Sequence, residues 1–167
     1  MRKIVYLLGV LSLVACTAQE EVVVKTPVIS PDVMLAKIRA NQEVKNELVF
    51  QAMPDDEVLD LIEQAKKAEL AGDYQLANTN LSAALRINSS NPEVTQMKAE
   101  IALLQEAWLN AEQLALQSYQ HGPKLGDICR RNWLTVHYAK MAQGQPMEDF
   151  ELAKNLNDCT IVPPARM

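Results

Sequence analysis

The side chains that most often carry out chemistry are scarce in this chain of 167 residues. There are three cysteines, Cys16, Cys129 and Cys159, and two histidines, His121 and His137. A nucleophilic cysteine needs a base within hydrogen-bonding distance, but Cys129 and His137 are eight residues apart, which is about 12 Å along a helix. The cysteines and histidines have no zinc-ligand spacing, and neither hydrolase nor nucleotide-binding motifs occur. We therefore predict no catalytic residue, no metal site and no cofactor.

The amino terminus has the pattern of an export signal. Arg2 and Lys3 precede an apolar run over residues 4–15, which is too short for a bilayer span of about 20 residues. Residues 13–16, Leu-Val-Ala-Cys, resemble the bacterial lipobox. The resemblance implies that residues 1–15 are a lipoprotein signal peptide and that Cys16 carries the lipid. The alternative is a cleaved secretory signal without lipid. Thr17 is not the aspartate of an inner-membrane retention signal, so we expect an anchor in the outer membrane, facing the periplasm.

The other two cysteines become a pair if the chain is exported. Thiols in an oxidising compartment tend to form disulfides, and Cys129 and Cys159 would close a loop of 31 residues. Such a loop stabilises a fold by about 3–4 kcal/mol. We predict this disulfide, with two separate buried thiols as the alternative.

Composition favours helices over strands. Hydrophobic residues make up 49% of the chain, aromatic residues only 5%, and there are five glycines. Side chains such as Ala and Leu lose little entropy in a helix. The net charge of −5, more negative still after removal of Arg2 and Lys3, argues against nucleic acid as a partner and against a basic surface lying on a membrane.

The chain divides into five predicted segments. After the signal peptide, residues 16–32 contain Pro27 and Pro31 and no helical period, so we expect a lipidated tether that holds the domain off the membrane. The alternative for the three valines at 22–24 is a strand that pairs with a partner. Residues 33–54 form an N-terminal helical segment with imperfect apolar spacing. Residues 55–160 form the main domain, and residues 161–167 form a carboxyl-terminal tail.

An internal repeat of 34 residues is the most informative feature of the main domain. At this offset Ala65 matches Ala99, Ala77 matches Ala111, and Tyr74 matches Trp108. This period and pattern resemble the tetratricopeptide repeat (TPR). The resemblance implies an all-α fold of antiparallel helical hairpins stacked as a short solenoid, with an unrelated helical bundle as the alternative. We predict helices over residues 55–71, 74–88, 92–105, 108–121, 127–143 and 147–157.

Two groups of residues are candidates for binding a partner. In TPR proteins the first helix of each unit lines a concave groove, and the resemblance places in it Leu59, Ile62, Lys66, Glu69, Leu70, Glu93, Gln96, Glu100 and Leu103. A solvated face has the same polar composition. The second group is Arg130, Arg131 and Trp133 near Lys124, because Arg and Trp are frequent interface anchors. Its alternative is solvated arginines beside a core tryptophan.

Together these patterns predict a membrane-anchored envelope lipoprotein that acts as a TPR scaffold or adaptor. It would bind an envelope protein and no small-molecule substrate, and it would resemble the TPR lipoproteins of pilus, secretion or cell-wall machinery. The alternatives are a structural tether and an enzyme accessory subunit with an unrecognised site.

Overall fold

A computed structural model describes residues 29–40 and 55–160. Over these residues the chain forms seven α-helices and no strand. The helices are α1 (Pro31–Ala40), α2 (Asp56–Leu70), α3 (Tyr74–Ile87), α4 (Pro92–Leu104), α5 (Trp108–His121), α6 (Gly126–Ala142) and α7 (Asp149–Asp158). The predicted fold class is confirmed: antiparallel hairpins, α2–α3, α4–α5 and α6–α7, stack as a short TPR-like solenoid.

The helix boundaries follow local capping signals. Each helix from α2 to α7 begins and ends within two residues of its predicted bounds. The Asp55 carboxylate accepts a hydrogen bond from the Glu57 amide at 3.0 Å, and the Asn91 side chain accepts one from the Val94 amide at 3.1 Å. Such caps satisfy amide groups that have no partner within the helix. Pro92 then occupies the first helical position of α4, where its missing N–H costs nothing.

The three hairpins share one turn geometry. Gly72, Glu106 and Gly144 all have positive φ, at 76°, 58° and 73°. In each turn the next residue donates its amide to the carbonyl five residues earlier, at 2.9 Å, as in a Schellman motif. The third hairpin therefore repeats the turn of the first two, although its turn residue lies 38 rather than 34 positions beyond Glu106.

Small residues at the repeat positions allow the helices to approach closely. Ala65 and Ala99, like Ala77 and Ala111, are at most 1% exposed, as expected where helical ridges cross. One core cluster joins α2, α3 and α4, and a second joins α1, α4, α5 and α6. The aromatic pair of the repeat, Tyr74 and Trp108, packs half-buried against these two clusters.

A disulfide closes the carboxyl-terminal end of the solenoid. It joins Cys129 of α6 to Cys159, just after α7, which is the pair that the cysteine count singles out. The Gly126 amide also donates to the Cys159 carbonyl at 2.8 Å. No residue within α7 is fully buried, so the disulfide and the half-buried Leu152 and Leu156 hold this helix in place.

Several predictions concern residues outside those that the structure describes. They are the signal peptide, lipidated Cys16, the tether up to residue 28, residues 41–54 of the helical segment, and the tail from residue 161. In the described ranges, none of the helices has the length and apolar character that a transmembrane span requires.

Candidate partner-binding groove

Helices α1, α4 and α6 meet around a buried carboxylate. Glu100 of α4 is 0% exposed. Its Oε1 accepts hydrogen bonds from Nε of Arg131 at 2.8 Å and from Nε2 of Gln96 at 3.1 Å. Its Oε2 accepts one from Nε of Arg39 at 2.9 Å. A buried charge is tolerated only when it is paired and hydrogen-bonded, and here two arginines from different helices meet that requirement.

Two further glutamates complete the ion network. Arg39 contacts Glu69 of α2 through two parallel bonds, from its two terminal nitrogens to the two carboxylate oxygens, at 2.7 and 3.0 Å. Arg131 donates to Glu93 at 2.7 Å. Bidentate guanidinium–carboxylate pairs are among the stronger hydrogen-bonded contacts in proteins. The network therefore links α1, α2, α4 and α6 through side chains alone.

Burial and charge act in opposite directions on the arginines of the network. Burial alone would lower the pKa of Arg131, but the charges of Glu100 and Glu93 raise it above its ordinary value. Burial likewise acts to lower the pKa of Arg39, but the hydrogen bonds and charges of Glu69 and Glu100 outweigh it and raise the pKa. Both guanidinium groups therefore remain charged, as the ion network requires.

Two other titratable groups are shifted by burial, and one of them, Asp127, has its Oδ2 atom 3.6 Å from a terminal nitrogen of Arg131. Burial raises the pKa of Asp127 at the start of α6, although the nearby Arg131 opposes the shift. Burial lowers the pKa of His137, with Asp149 in partial opposition. The Oδ1 atom of Asp127 and the Nδ1 atom of His137 are both buried without a hydrogen-bond partner. These two groups make stability depend on pH. Among the described residues, no group of three or more His, Cys, Asp or Glu side chains could hold a metal ion.

An open groove lies beside the ion network, with a volume of about 320 Å³. Its lining, which defines the open groove from here on, is Arg39, Lys66, Glu69, Leu70, Glu93, Met97 and Arg131. The lining combines both signs of charge with apolar surface, and Leu70 is 87% exposed. Such a surface suits a protein segment that offers an apolar side chain and charged groups.

The structure separates the predicted groove residues into two sets. Leu59, Lys66 and Leu70 are exposed, and Ile62, Glu69 and Glu93 are half-buried. By contrast, Gln96, Glu100 and Leu103 are buried. The second set contacts other parts of this chain: Gln96 donates to Thr135 of α6 at 2.8 Å, and Leu103 packs in the core cluster that includes α1.

The predicted basic cluster does not form a surface patch. Arg130 and Arg131 are each 5% exposed, and Arg131 belongs to the ion network. Lys124 donates instead to the carbonyls of Tyr119, Gln120 and Gly122 at the end of α5. Trp133 is half-buried and its ring lies 5.0 Å from that of Tyr119. The alternative of solvated arginines is wrong, because both side chains are buried. A partner-binding role for Arg130, Arg131 and Trp133 stays a prediction, with little of either arginine exposed to a partner.

Arg39 is a groove residue that the sequence reasoning missed. The segment containing it was predicted to be helical, but it lies outside the 34-residue repeat, so no repeat position assigned it to the groove. Its partners Glu69 and Glu100 are 30 and 61 residues away. The signal in the sequence is weak: a cation, Arg39, directly follows the apolar Ile38.

The fold defined by these elements has a counterpart among solved structures. The chain is similar to the globular C-terminal domain of LpoP from P. aeruginosa, with a TM-score of 0.55 and 24% sequence identity. The similarity covers 64% of this chain and 98% of that domain. No family model and no curated protein sequence matches the chain. The likeness supports the all-helical architecture.

Proposed function

We propose that this chain is an envelope lipoprotein, anchored through Cys16, whose helical domain binds a protein partner and catalyses no reaction. The observation that carries the proposal is the open groove on the inner helices. Its lining includes the exposed Leu70 and Lys66 together with Glu69 and Glu93, which Arg39 and Arg131 hold in ion pairs. A single exposed leucine is common on protein surfaces, but Leu70 here shares a concave lining with Met97 and with charges that ion pairs hold in place. An apolar centre with polar groups around it is the usual composition of a protein interface.

The anchoring part of the proposal rests on the sequence. The basic start, the short apolar run and the lipobox-like residues 13–16 agree with one another. LpoP also has a globular domain at its carboxyl-terminal end, and the described helical domain here likewise follows a long amino-terminal segment. We propose the outer membrane, facing the periplasm, as the location. The partner would belong to pilus, secretion or cell-wall machinery.

The test is an affinity pull-down from gently solubilised envelope with the full chain as bait. We expect one envelope assembly to be recovered reproducibly, and its identity would decide among the three kinds of machinery. The Cys16→Ser variant should lose membrane association, as measured by fractionation. Recovery of no partner by an anchored and folded chain would refute the adaptor role and favour a structural tether.

A matched pair of surface variants tests whether the open groove is the contact. Leu70→Gln changes an exposed leucine in the groove, whereas Leu109→Gln changes a leucine of α5 that is 59% exposed and does not line it. Loss of an interface anchor typically lowers affinity about tenfold or more. We expect this loss for Leu70→Gln only, and an equal effect of both variants would contradict the assignment.

A further inference from the structure

Helix α1 lies where a TPR protein would receive its ligand. It packs against α4 and α6, which are the first helices of the second and third units. In TPR proteins these helices line the concave face. Met34 and Ile38 of α1 join Leu103, Leu134 and Tyr138 in one core cluster. The part of the concave face formed by α4 and α6 is therefore already occupied by a helix of the same chain.

The contact of α1 with this face has an apolar part and an ionic part. Met34 and Ile38 are 3% and 0% exposed and lie four residues apart, so they share one side of the helix. Arg39, the next residue, binds both Glu69 and Glu100. The contact thus consists of two apolar residues one turn apart, followed by a cation that enters an acidic site.

The contact is also small compared with the rest of the domain. Helix α1 has ten residues, and a helix of this length is marginal in water without tertiary contacts. Three of its residues are buried, while Val33 is 45% exposed. Residues 41–55 separate it from α2, and the disulfide joins α6 to the residue after α7. Elements with few buried contacts open at a lower free-energy cost than the core.

We propose that α1 is an exchangeable occupant of a helix-binding site, and that the protein partner supplies a basic amphipathic helix that takes its place. Without α1 the site presents the carboxylates of Glu69, Glu93 and Glu100 against Arg131 and Lys66. This acidic excess favours a basic segment over an acidic one. The inference rests on the proposed function and names the chemistry of the partner and the means by which access to the site is controlled.

The test uses a fluorescent peptide with the sequence of residues 29–40 as the probe and the full chain in detergent as the receptor. Ile38→Asp removes the central apolar contact of α1 and leaves the receiving surface unchanged. If α1 is docked about 99% of the time, its removal raises the apparent affinity for the peptide about 100-fold. The matched control is Ala36→Asp, since Ala36 is an exposed residue of the same helix. The control should bind the peptide as weakly as the unmodified chain.

A peptide carrying Arg39→Glu should not bind to any of these chains, because it places a third carboxylate against Glu69 and Glu100. A folded Ile38→Asp chain that binds the unaltered peptide no better than Ala36→Asp does would overturn the proposal. So would a stable dimer of the unmodified chain in which α1 crosses to a second copy, measured by light scattering.

Hydrogen exchange of the unmodified chain provides a test that does not depend on a variant that folds. We expect the amides of α1 to exchange at least about 100-fold faster than those of α4, since α1 opens separately. Exchange of α1 together with α4 would show that α1 is a fixed part of the core. If the peptide does not replace α1 while the pull-down recovers a partner, the adaptor function stands and the displacement of α1 is refuted. If the peptide replaces α1 and no partner is recovered, α1 is displaceable and the adaptor function is refuted.

Discussion

Replacing Glu100 with glutamine tests the buried ion network most directly, because the substitution preserves shape and removes one charge. In the native chain both carboxylate oxygens accept hydrogen bonds from a guanidinium, Oε1 from Arg131 and Oε2 from Arg39. A glutamine amide has one oxygen and one NH₂ group. In either orientation its NH₂ group therefore faces an arginine that can only donate. Each arginine also loses one of its carboxylate partners, although Arg131 keeps Glu93 and Arg39 keeps Glu69.

The expected loss follows from the burial of the pair. Glu100 is fully buried and the side chain of Arg131 is 6% exposed. A buried polar group left without its partner typically costs about 1–3 kcal/mol. The loss stays below the cost of about 3–5 kcal/mol for a buried charge left uncompensated, because Glu69 and Glu93 still pair with the two arginines. With a urea dependence of about 1.5 kcal/mol per molar, the unfolding midpoint of Glu100→Gln would fall by about 0.7–2 M. Far-UV circular dichroism during urea titration measures this shift.

An exposed ion pair of the same chain provides the control. Glu63 lies 3.5 Å from Lys67, and their side chains are 63% and 71% exposed. Glu63→Gln is the same chemical change in solvent, where a pair contributes about 0–1 kcal/mol. We expect its midpoint to stay within about 0.5 M of the native value. If Glu100→Gln is as mild as Glu63→Gln, water solvates the network and the account of a buried structural ion cluster is wrong.

Three further predictions concern separate features of the fold. Glu106→Gly should raise the free energy of unfolding by about 0.5–1 kcal/mol, as measured by thermal unfolding. The reason is that Glu106 has a left-handed φ of 58°, a conformation that costs a residue with a side chain about 1–2 kcal/mol. His137 has a lowered pKa in the folded chain, so the unfolded chain takes up its proton first and stability should fall as the pH drops below about 6.5. His137→Gln should remove that part of the slope in urea titrations at several pH values, and His121→Gln, at an exposed residue, should leave it. Replacement of both Cys129 and Cys159 with alanine should lower the free energy of unfolding by about 3–4 kcal/mol, with α7 exchanging its amides first.

Each of these three predictions can be contradicted by a specific result. Destabilisation by Glu106→Gly would show that strain at this turn does not limit stability; Gly72→Glu, at the matching turn with φ of 76°, should act in the opposite direction. An unchanged slope in His137→Gln would mean that other groups produce the acid sensitivity. If the amides of α7 exchange no faster after loss of the disulfide, the half-buried Leu152 and Leu156 are sufficient to hold this helix.

The hairpins were predictable because their signals are local and repeated. Caps such as Asp55 and Asn91 lie within three residues of the amides that they bind, and the 34-residue period places the small residues of successive units in phase. Glu106 shows how far the period extends. It stands 34 positions after Gly72, and the structure gives it the same turn geometry, although a glutamate tolerates a positive φ less well than a glycine.

The composition and order of residues determined an all-helical solenoid, its helix boundaries, its paired cysteines and a set of candidate groove positions. Only the tertiary structure decided which of those positions are open. Leu70 and Lys66 are accessible, whereas Glu100 is sealed by Arg39 from a helix outside the repeat, 61 residues away in the chain. A glutamate that faces solvent and one that faces a buried guanidinium fit the same periodic pattern. The difference between them is set by what packs above the helix, and that is a property of the folded chain rather than of any one segment.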